Sequence, residues 1–382
     1  MDFSITADQK ALRDEIIRFA RRELSSGVIE RDRAQEFSRE LWRKCGELGL
    51  QGLPVPEEYG GGSFDTVTTA LALEAFGYGC TDGGLVFSIC AHLLSCVVPI
   101  WKHGTDEQKR RFLPGLCDGT RVGGNATSEP GSGSDAFAMR TAARPDGAGW
   151  RISGTKMFIS NGPVADVMLV YAVTDAAKSF HGGITAFLVE SGAQGFQASG
   201  KIEKMGLRTS PLGELVFDDV YVAGDAVLGG VGAGGPIFTQ SMDWERVLLF
   251  AAHVGTMERL VEGSVQYART RSQFGQPIGK FQGMSHRIAD AKVRLEAARL
   301  LVYQAAWKLG HARSASLDAA IAKLFVSEAL VTTALDAVQV LGGYGFTTEY
   351  EIERAVRDSV GSTLYSGTSE MQRNIIARWL GL

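Results

Sequence analysis

A carboxylate set in an apolar helix has either a cationic partner or a task, and Asp243-Trp-Glu-Arg246 admits both readings. The residues that follow, Val247 to Ala252, carry no polar side chain, so Glu245 is expected in apolar surroundings. Desolvation raises the pKa of a buried carboxyl and makes it a stronger proton acceptor, which suits a general base. The alternative is an ion pair or a favourable charge near a helix N-terminus. A second cluster, Thr127-Ser-Glu-Pro-Gly-Ser-Gly-Ser-Asp135, gathers hydroxyls and free N–H groups on a loop of little side-chain bulk. Such a loop suits a bound anion or a heteroaromatic edge, or it is an ordinary cluster of β-turns. His92, in Ser-Ile-Cys-Ala-His-Leu-Leu, is a candidate for the substrate pocket, with a satisfied core histidine as the alternative.

Other chemistries lack their signatures. Neither H-E-x-x-H nor C-x-x-C occurs, so no metal site is expected, and no serine sits in G-x-S-x-G. Gly230-Val-Gly-Ala-Gly-Gly235 fits G-x-G-x-x-G, but helix rather than a parallel strand follows, so it reads as a flexible hinge. With 39 Lys+Arg against 43 Asp+Glu, the net charge of −4 carries no nucleic-acid footprint. No continuous apolar run reaches membrane-span length and the N-terminus is too charged for a signal peptide, so a cytoplasmic location without a membrane role is expected. The five cysteines, all in the first third, read as buried free thiols.

The positioning elements fall into three blocks. Of 47 glycines, 21 lie in residues 121–235, which predicts a β-rich segment between two helical ones. Residues 1–120 read as helices: one at 7–25 opened by the capping box Thr6-Ala-Asp-Gln9, one near Arg39 to Leu48, then Val67 to Phe76 and Leu85 to Ile100. Strand candidates in 121–235 are Trp150 to Gly154, Val167 to Val173, Ile184 to Glu190, Leu215 to Phe217 and Val220 to Val222, in a mainly antiparallel sandwich or barrel. In 236–382, Ile288, Ala291, Leu295, Ala298, Val302, Ala305 and Leu309 step by 3 and 4, the seam of a helical bundle. A further helix runs from about Leu317 to Leu341 and stops at Gly342-Gly343, and Ser369-Glu-Met-Gln372 reads as a second capping box.

Six collinear motifs resemble the acyl-CoA dehydrogenase family over essentially the whole chain. They are Pro54-Val-Pro-Glu-Glu-Tyr-Gly-Gly61, Thr127 to Asp135, Gly154-Thr-Lys-Met-Phe-Ile-Ser-Asn-Gly162, Ala268-Arg-Thr-Arg-Ser-Gln-Phe-Gly275, Gln339-Val-Leu-Gly-Gly-Tyr-Gly-Phe346, and Arg357-Asp to Gly367-Thr-Ser369. The resemblance implies an α+β chain with an N-terminal all-α domain, a middle antiparallel β-barrel and a C-terminal four-helix bundle. It also implies FAD, held with help from a second subunit of a homo-oligomer. By matching position, Ser128 and Ser134 belong to the loop beside the flavin and the thioester arm, Phe158 lies against the isoalloxazine, and Ser160 hydrogen-bonds near its reactive nitrogen. Arg271, Phe274, Gln339, Gly342 and Gly343 match the pyrophosphate and adenosine half of FAD across the dimer interface. Thr368 and Glu370 match flavin-side residues.

One departure carries information. Many relatives place the catalytic glutamate in Tyr-Glu-Gly-Thr, where this chain has Tyr365-Ser366-Gly-Thr368. A serine hydroxyl is far too weak a base. A minority of the family, resembling isovaleryl-CoA dehydrogenase, carries the base at the position of Glu245. Arg246 then matches a residue steadying the catalytic region, Asp243 one that contacts the pantetheine arm, and Tyr365 and Ser366 line the substrate site. The implied reaction is removal of the α-proton of a thioester by Glu245 as the β-hydrogen leaves as hydride, with the N–H at 366 and a ribityl hydroxyl stabilising the enolate-like charge. Residues 77–87, 241–246 and 357–369 look more like the branch that oxidises carrier-protein-bound substrates, such as prolyl thioesters, in natural-product pathways. A short or branched acyl-CoA is the alternative substrate, and a flavin monooxygenase of the same fold the alternative of another class. An electron-transfer flavoprotein is a candidate partner.

Overall fold

The computed structural model describes residues 4–312 and 314–382. The N-terminal block holds α1 (Ala7–Phe19), α2 (Val28–Ala34), α3 (Arg39–Glu47), α4 (Thr66–Gly79), α5 (Gly83–His92), α6 (Val98–His103) and α7 (Asp106–Cys117). The box at Thr6 forms as expected: its Oγ1 accepts from the Gln9 N–H at 3.2 Å, and Gln9 Oε1 accepts from the Thr6 N–H at 3.0 Å. A π-helical turn, Ala20–Leu24, carries that helix to the length expected. Helix α2 is an addition, set off by Gly27 in the left-handed region at φ 66°. A second π turn, Leu93–Val97, joins α5 to α6 in one run. Gly83–His103 and Ser316–Leu341 are each long and apolar enough to cross a membrane, but the first is a core helix, almost wholly buried. All five cysteines are buried and free.

The middle block is one eight-stranded sheet of β1 (Gly123–Ala126), β2 (Ala142–Asp146), β3 (Gly149–Ser160), β4 (Val167–Val173), β5 (Ile184–Glu190), β6 (Phe196–Ala198), β7 (Leu212–Ala223) and β8 (Val227–Leu228). The path runs β6-β7-β3-β2-β4-β5-β8, with β1 attached to β4. Most pairs are antiparallel as expected; β1–β4 and β2–β4 are parallel. Among the described residues no strand pairing joins β6 to β8, so the sheet is not closed into the expected barrel by hydrogen bonds. The two expected strands at 215–217 and 220–222 are one, β7, because both halves pair along β3, on either side of a register irregularity between Ile152 and Gly154.

The C-terminal block contains α8 (Gly234–Thr270), a two-stranded turn of β9 (Ser272–Gln273) and β10 (Gln276–Pro277), then α9 (Gln282–His311), α10 (Ser316–Leu341), α11 (Gly343–Phe346), α12 (Ile352–Gly361) and α13 (Ser369–Trp379). Ala291, Leu295, Ala298, Val302 and Ala305 are buried along α9, as the seam requires. The bundle has three long helices, α8, α9 and α10, while the short α12 and α13 lie on α10. The last helix starts one residue earlier than expected: Thr368, not Ser369, is its N-cap, accepting from the Met371 N–H at 3.3 Å. Gly230–Gly235 is not a hinge. A Cβ on Gly234 would meet Ile184 O at 2.8 Å and one on Gly235 would meet Phe180 O at 2.8 Å, so these glycines let α8 start hard against the sheet.

Two more glycines fix α8 against α4. A Cβ on Gly77 would lie 1.9 Å from Ala252 O, and one on Gly255 would lie 2.0 Å from Glu74 O. The two backbones thus touch one turn beyond the apolar run that follows Glu245, and neither carbonyl has room to retreat without separating the helices. Gly255→Ala is expected to cost at least about 1–3 kcal/mol through overpacking, seen as a lower melting temperature. An unchanged melting temperature would show that the helices part freely here.

Candidate active site

Glu245 lies on the buried face of α8, and its Oε1 accepts a hydrogen bond from Ser366 Oγ at 2.5 Å. Ser366 stands in the loop between α12 and α13 with φ 56°, followed by Gly367 at φ 88°. A non-glycine residue in this region is uncommon and persists where its surroundings hold it. Here the holders are two side chains on the Ser366 carbonyl: Arg246 Nε donates to it at 3.0 Å and Gln372 Nε2 at 3.1 Å. Gln372 Nε2 also donates to Gly367 O at 2.9 Å. Arg246 therefore secures the loop rather than neutralising Glu245 directly, and its Nη1 lies 3.6 Å from Asp243 Oδ1.

Burial raises the Glu245 carboxyl above the ordinary range, opposed first by the Ser366 hydrogen bond and then by the charges of Arg246 and Lys323. A carboxyl raised in this way is a stronger base than a solvated glutamate. Tyr365 contributes a wall. Its ring packs on Phe87 at 4.7 Å and on Phe250 at 6.1 Å, and its hydroxyl meets His253 Nε2 at 2.5 Å. His253 is pushed down to about 3, by burial and then by the charge of Lys323, so the imidazole is neutral. Asp243 Oδ2 accepts from Ser316 Oγ at 2.5 Å, tying α8 to the start of α10.

His92 is not a pocket residue. It is 0 % exposed, its Nδ1 accepts from the Gly123 N–H at 2.8 Å, and its Nε2 meets Leu116 O at 2.9 Å. Both ring nitrogens are used, Trp42 packs edge-on at 5.0 Å, and burial lowers its pKa to about 4. It is a neutral core histidine joining α5, α7 and β1, which corrects its assignment to the substrate site.

The serine loop and β3 form a second group. Lys156, buried on β3, donates to Thr127 O at 3.0 Å and to Glu129 Oε1 at 3.0 Å, while Glu129 accepts from the N–H groups of Arg140 and Thr141 at 2.7 and 2.9 Å. Burial alone would raise the Glu129 carboxyl, but these hydrogen bonds and the Lys156 charge hold it below its ordinary value. The Met157 N–H donates to Ser128 O at 2.9 Å, so the loop is fastened at both ends of one ion pair. Ser134 is exposed beyond it, and Ser160 is half-buried at the end of β3. A register shift between Lys156 and Ile159 bulges the strand, and Phe158 at its centre has φ 60° and is 62 % exposed. The bulge re-aims the Phe158 side chain outward, and its left-handed backbone persists only where the surroundings hold it. Phe238 of α8 packs on Tyr171 of β4 at 5.7 Å and on Phe137 at 5.5 Å, joining this face to the helix that carries Glu245.

Arg271, Phe274, Gln339, Gly342 and Gly343 meet in one cleft of about 740 Å³, closed also by Tyr344 and Phe281. Phe274 is 94 % exposed at φ 51° in the β9–β10 turn. The Arg271 guanidinium lies 5.7 Å from the Tyr344 ring centre. Nothing lies within 4 Å of a Cβ placed on Gly275, Gly342 or Gly343, so backbone there is open to close approach. A fixed cation, an amide, exposed rings and bare backbone suit the pyrophosphate and base of a dinucleotide. This cleft is remote from Glu245 within one chain: 26 residues of helix at 1.5 Å each separate Glu245 from Arg271, about 39 Å. Thr368 and Glu370 open α13, where Glu370 is held below its ordinary value by its own N–H and the Thr368 side chain.

Three residues escaped the sequence reading. His253 lies eight positions after Glu245 on the same helix, Gln372 is read in the sequence as the end of a capping box whereas its side chain donates to the carbonyls of Ser366 and Gly367, and Lys323 is a lone charge in an apolar run.

The comparisons cover all of this geometry. The acyl-CoA dehydrogenase N-terminal domain matches residues 6–120, the middle domain 124–220 and the C-terminal domain 232–381. The chain is 43 % identical to an L-prolyl-[peptidyl-carrier protein] dehydrogenase of Pseudomonas fluorescens, covering 100 % of both. It is 37 % identical to a short-chain-specific acyl-CoA dehydrogenase of Clostridium acetobutylicum, covering 99 % of both. Among solved structures, the prolyl acyl carrier protein oxidase AnaB superposes with TM-score 0.97 at 42 % identity, over 99 % of this chain and 100 % of that one. PigA with FAD and proline superposes with TM-score 0.97 at 40 % identity, over 100 % of both. Matched in all three blocks and along its full length, the chain belongs to the acyl-CoA dehydrogenase family.

Proposed function

We propose that the protein is a flavin-dependent dehydrogenase that oxidises the Cα–Cβ bond of an acyl thioester carried on a carrier protein, with a prolyl thioester as the favoured substrate and Glu245 as the base. The observation that carries the reading is the 2.5 Å hydrogen bond from Ser366 Oγ to Glu245 Oε1. A residue that cannot act as a base stands in the loop, and a buried carboxylate from another helix reaches it there. Support for the substrate comes from the full-length likeness to a prolyl-carrier-protein dehydrogenase and to a structure holding FAD and proline. The 37 % identity to an acyl-CoA dehydrogenase favours a second reading, a short or branched acyl-CoA.

FAD, when bound, supplies the hydride acceptor for the β-carbon. The residues that would hold it are Ser128, Phe158, Ser160, Thr368 and Glu370 on the flavin side, and Arg271, Phe274, Gln339, Gly342 and Gly343 on the adenosine side. Because about 39 Å of α8 separate Glu245 from Arg271, the two sets serve one cofactor through a homo-oligomer in which a second copy presents its Arg271 cleft. Glu245 accepts the α-proton at a carboxylate oxygen, and the Ser366 hydroxyl steadies that carboxylate until the proton arrives. The Ser366 N–H faces the thioester carbonyl, where enolate-like charge develops and a fixed donor is worth most. Tyr365, Phe87 and Phe250 keep water from the site, and Asp243 and Ser134 receive the pantetheine arm. In this reading the middle sheet curls toward a barrel around the substrate arm, the enzyme is cytoplasmic, and an electron-transfer flavoprotein or oxygen reoxidises it.

Glu245→Gln is expected to retain bound yellow flavin and to bleach about 10²–10⁴-fold more slowly with substrate under anaerobic conditions. Full-speed bleaching in that variant would remove Glu245 as base. The raised carboxyl also sets a pH profile. Only the carboxylate accepts a proton, so the wild-type bleaching rate falls as pH drops through a midpoint above the ordinary glutamate value of 4.5. Mass spectrometry of enzyme offered prolyl-carrier protein and a panel of acyl-CoAs separates the two substrates: loss of two hydrogens, or four for pyrrole formation, on the carrier-bound prolyl group supports the first, and oxidation of the acyl-CoAs alone the second.

A further inference from the structure

Lys323 of α10 is 0 % exposed, and its Nζ has no hydrogen-bond partner. Nζ lies 5.7 Å from the centre of the Phe250 ring, whose other neighbours are His253 at 5.1 Å and Tyr365 at 6.1 Å. The amine thus sits behind the wall that closes the Glu245 site. A cation buried without a partner costs stability, and a chain gains nothing structural from it that methionine would not supply. The other cation nearby is already engaged: Arg246 spends Nε on the Ser366 carbonyl and faces Asp243 with Nη1.

We propose that Lys323 is a positioning residue for the reaction: its buried, unpartnered ammonium keeps Glu245 ionised inside a closed apolar site. The groups facing the pair support this division. Around Glu245, burial holds the Cys90 thiol, the Tyr171 phenol and the Tyr365 phenol protonated and uncharged, and none of them supplies a counter-charge. Around Lys323, Arg246 repels it, Glu328, Glu370 and Glu245 attract it, and His253 is neutral. Burial lowers the amine to about 8, so it remains a cation at neutral pH. Its charge in turn opposes the rise that burial imposes on Glu245, adding to the larger effects of the Ser366 hydrogen bond and the Arg246 charge.

The inference rests on Glu245 being the base, and three variants separate the two ideas. Lys323→Met removes the charge at nearly constant length; with holoenzyme the acid limb of the anaerobic bleaching rate should move to higher pH, with the rate recovering above it. Lys323→Arg should leave the limb near its wild-type position. Because a buried cation whose proton affinity is depressed destabilises the fold at pH below its lowered pKa, Lys323→Met should also melt at a higher temperature than wild type at pH 7. An unmoved limb, a rate lowered equally at every pH, or a Lys323→Met protein that loses flavin or fails to fold would each overturn the proposal, the last by revealing a structural partner for the amine. Bleaching that persists in Glu245→Gln rejects the base assignment itself. An inert Glu245→Gln with an unmoved limb in Lys323→Met rejects Lys323 alone.

Discussion

A carboxylate taken out of water must find replacements for its lost solvation or give up its charge, and Glu245 is placed where that choice is sharpest. After Arg246 it is followed on α8 by six apolar residues, and it is faced by Tyr365, Cys90 and Tyr171, all themselves held uncharged by burial. One hydroxyl, from Ser366, reaches it directly. The loop that presents this hydroxyl is held in the left-handed region by Arg246 and Gln372 on a single carbonyl. The immediate neighbours of Glu245 are therefore arranged for one hydrogen bond, and the neighbours of that hydrogen bond are arranged to keep a strained loop in place.

Helix α8 does more than carry the base. Its glycine-lined start rests on the β5 end of the sheet, its middle interlocks with α4 through Gly77 and Gly255, and its far end opens the Arg271 cleft. A single rigid element so sets the distance between the acid–base centre and the cleft suited to a dinucleotide's phosphates. The three sequence blocks consequently do not correspond to three separate tasks. Phe87 of the first block packs on Tyr365 of the third, and Tyr171 of the second packs on Phe238 of α8, because each block leaves one face against α8 or beside it.

How much of this was legible in the chain depended on the range of the interactions concerned. Strands β4 and β5 match the reading residue for residue, since unbroken apolar runs between turn residues need no partner to be recognised. The Phe158 bulge was hidden, because register is a property of two strands, β3 and β7, more than fifty residues apart. His253 was passed over for the same reason: its partner hydroxyl on Tyr365 is 112 positions away. His92 showed the limit of composition, as a histidine in an apolar helix looks alike whether it lines a pocket or joins three core elements. Lys323 differs, being a charge among Ala319, Ala320, Ala322 and Val326 that the sequence displayed openly. Five of the six motifs that matched by resemblance fall in the Glu245 site, the serine-loop group or the Arg271 cleft, but the ion pair of Lys156 and Glu129 that fastens two of them together was not foreseen.

The presence of serine at 366 and of glutamate at 245 is a coupled choice on electrostatic grounds. Ser366 Oγ and Glu245 Oε1 are 2.5 Å apart, so side chains from the loop and from the helix compete for one volume. Two carboxylates in such a space cannot both be ionised, and one of them would be driven to hold its proton. Serine removes that repulsion and replaces it with a donor that favours the charged form of its neighbour. It also leaves the loop free to serve with its backbone, which Arg246 and Gln372 already fix through the carbonyl. The carboxylate then resides on a helix whose position is set by close backbone contact rather than in a loop whose conformation is strained.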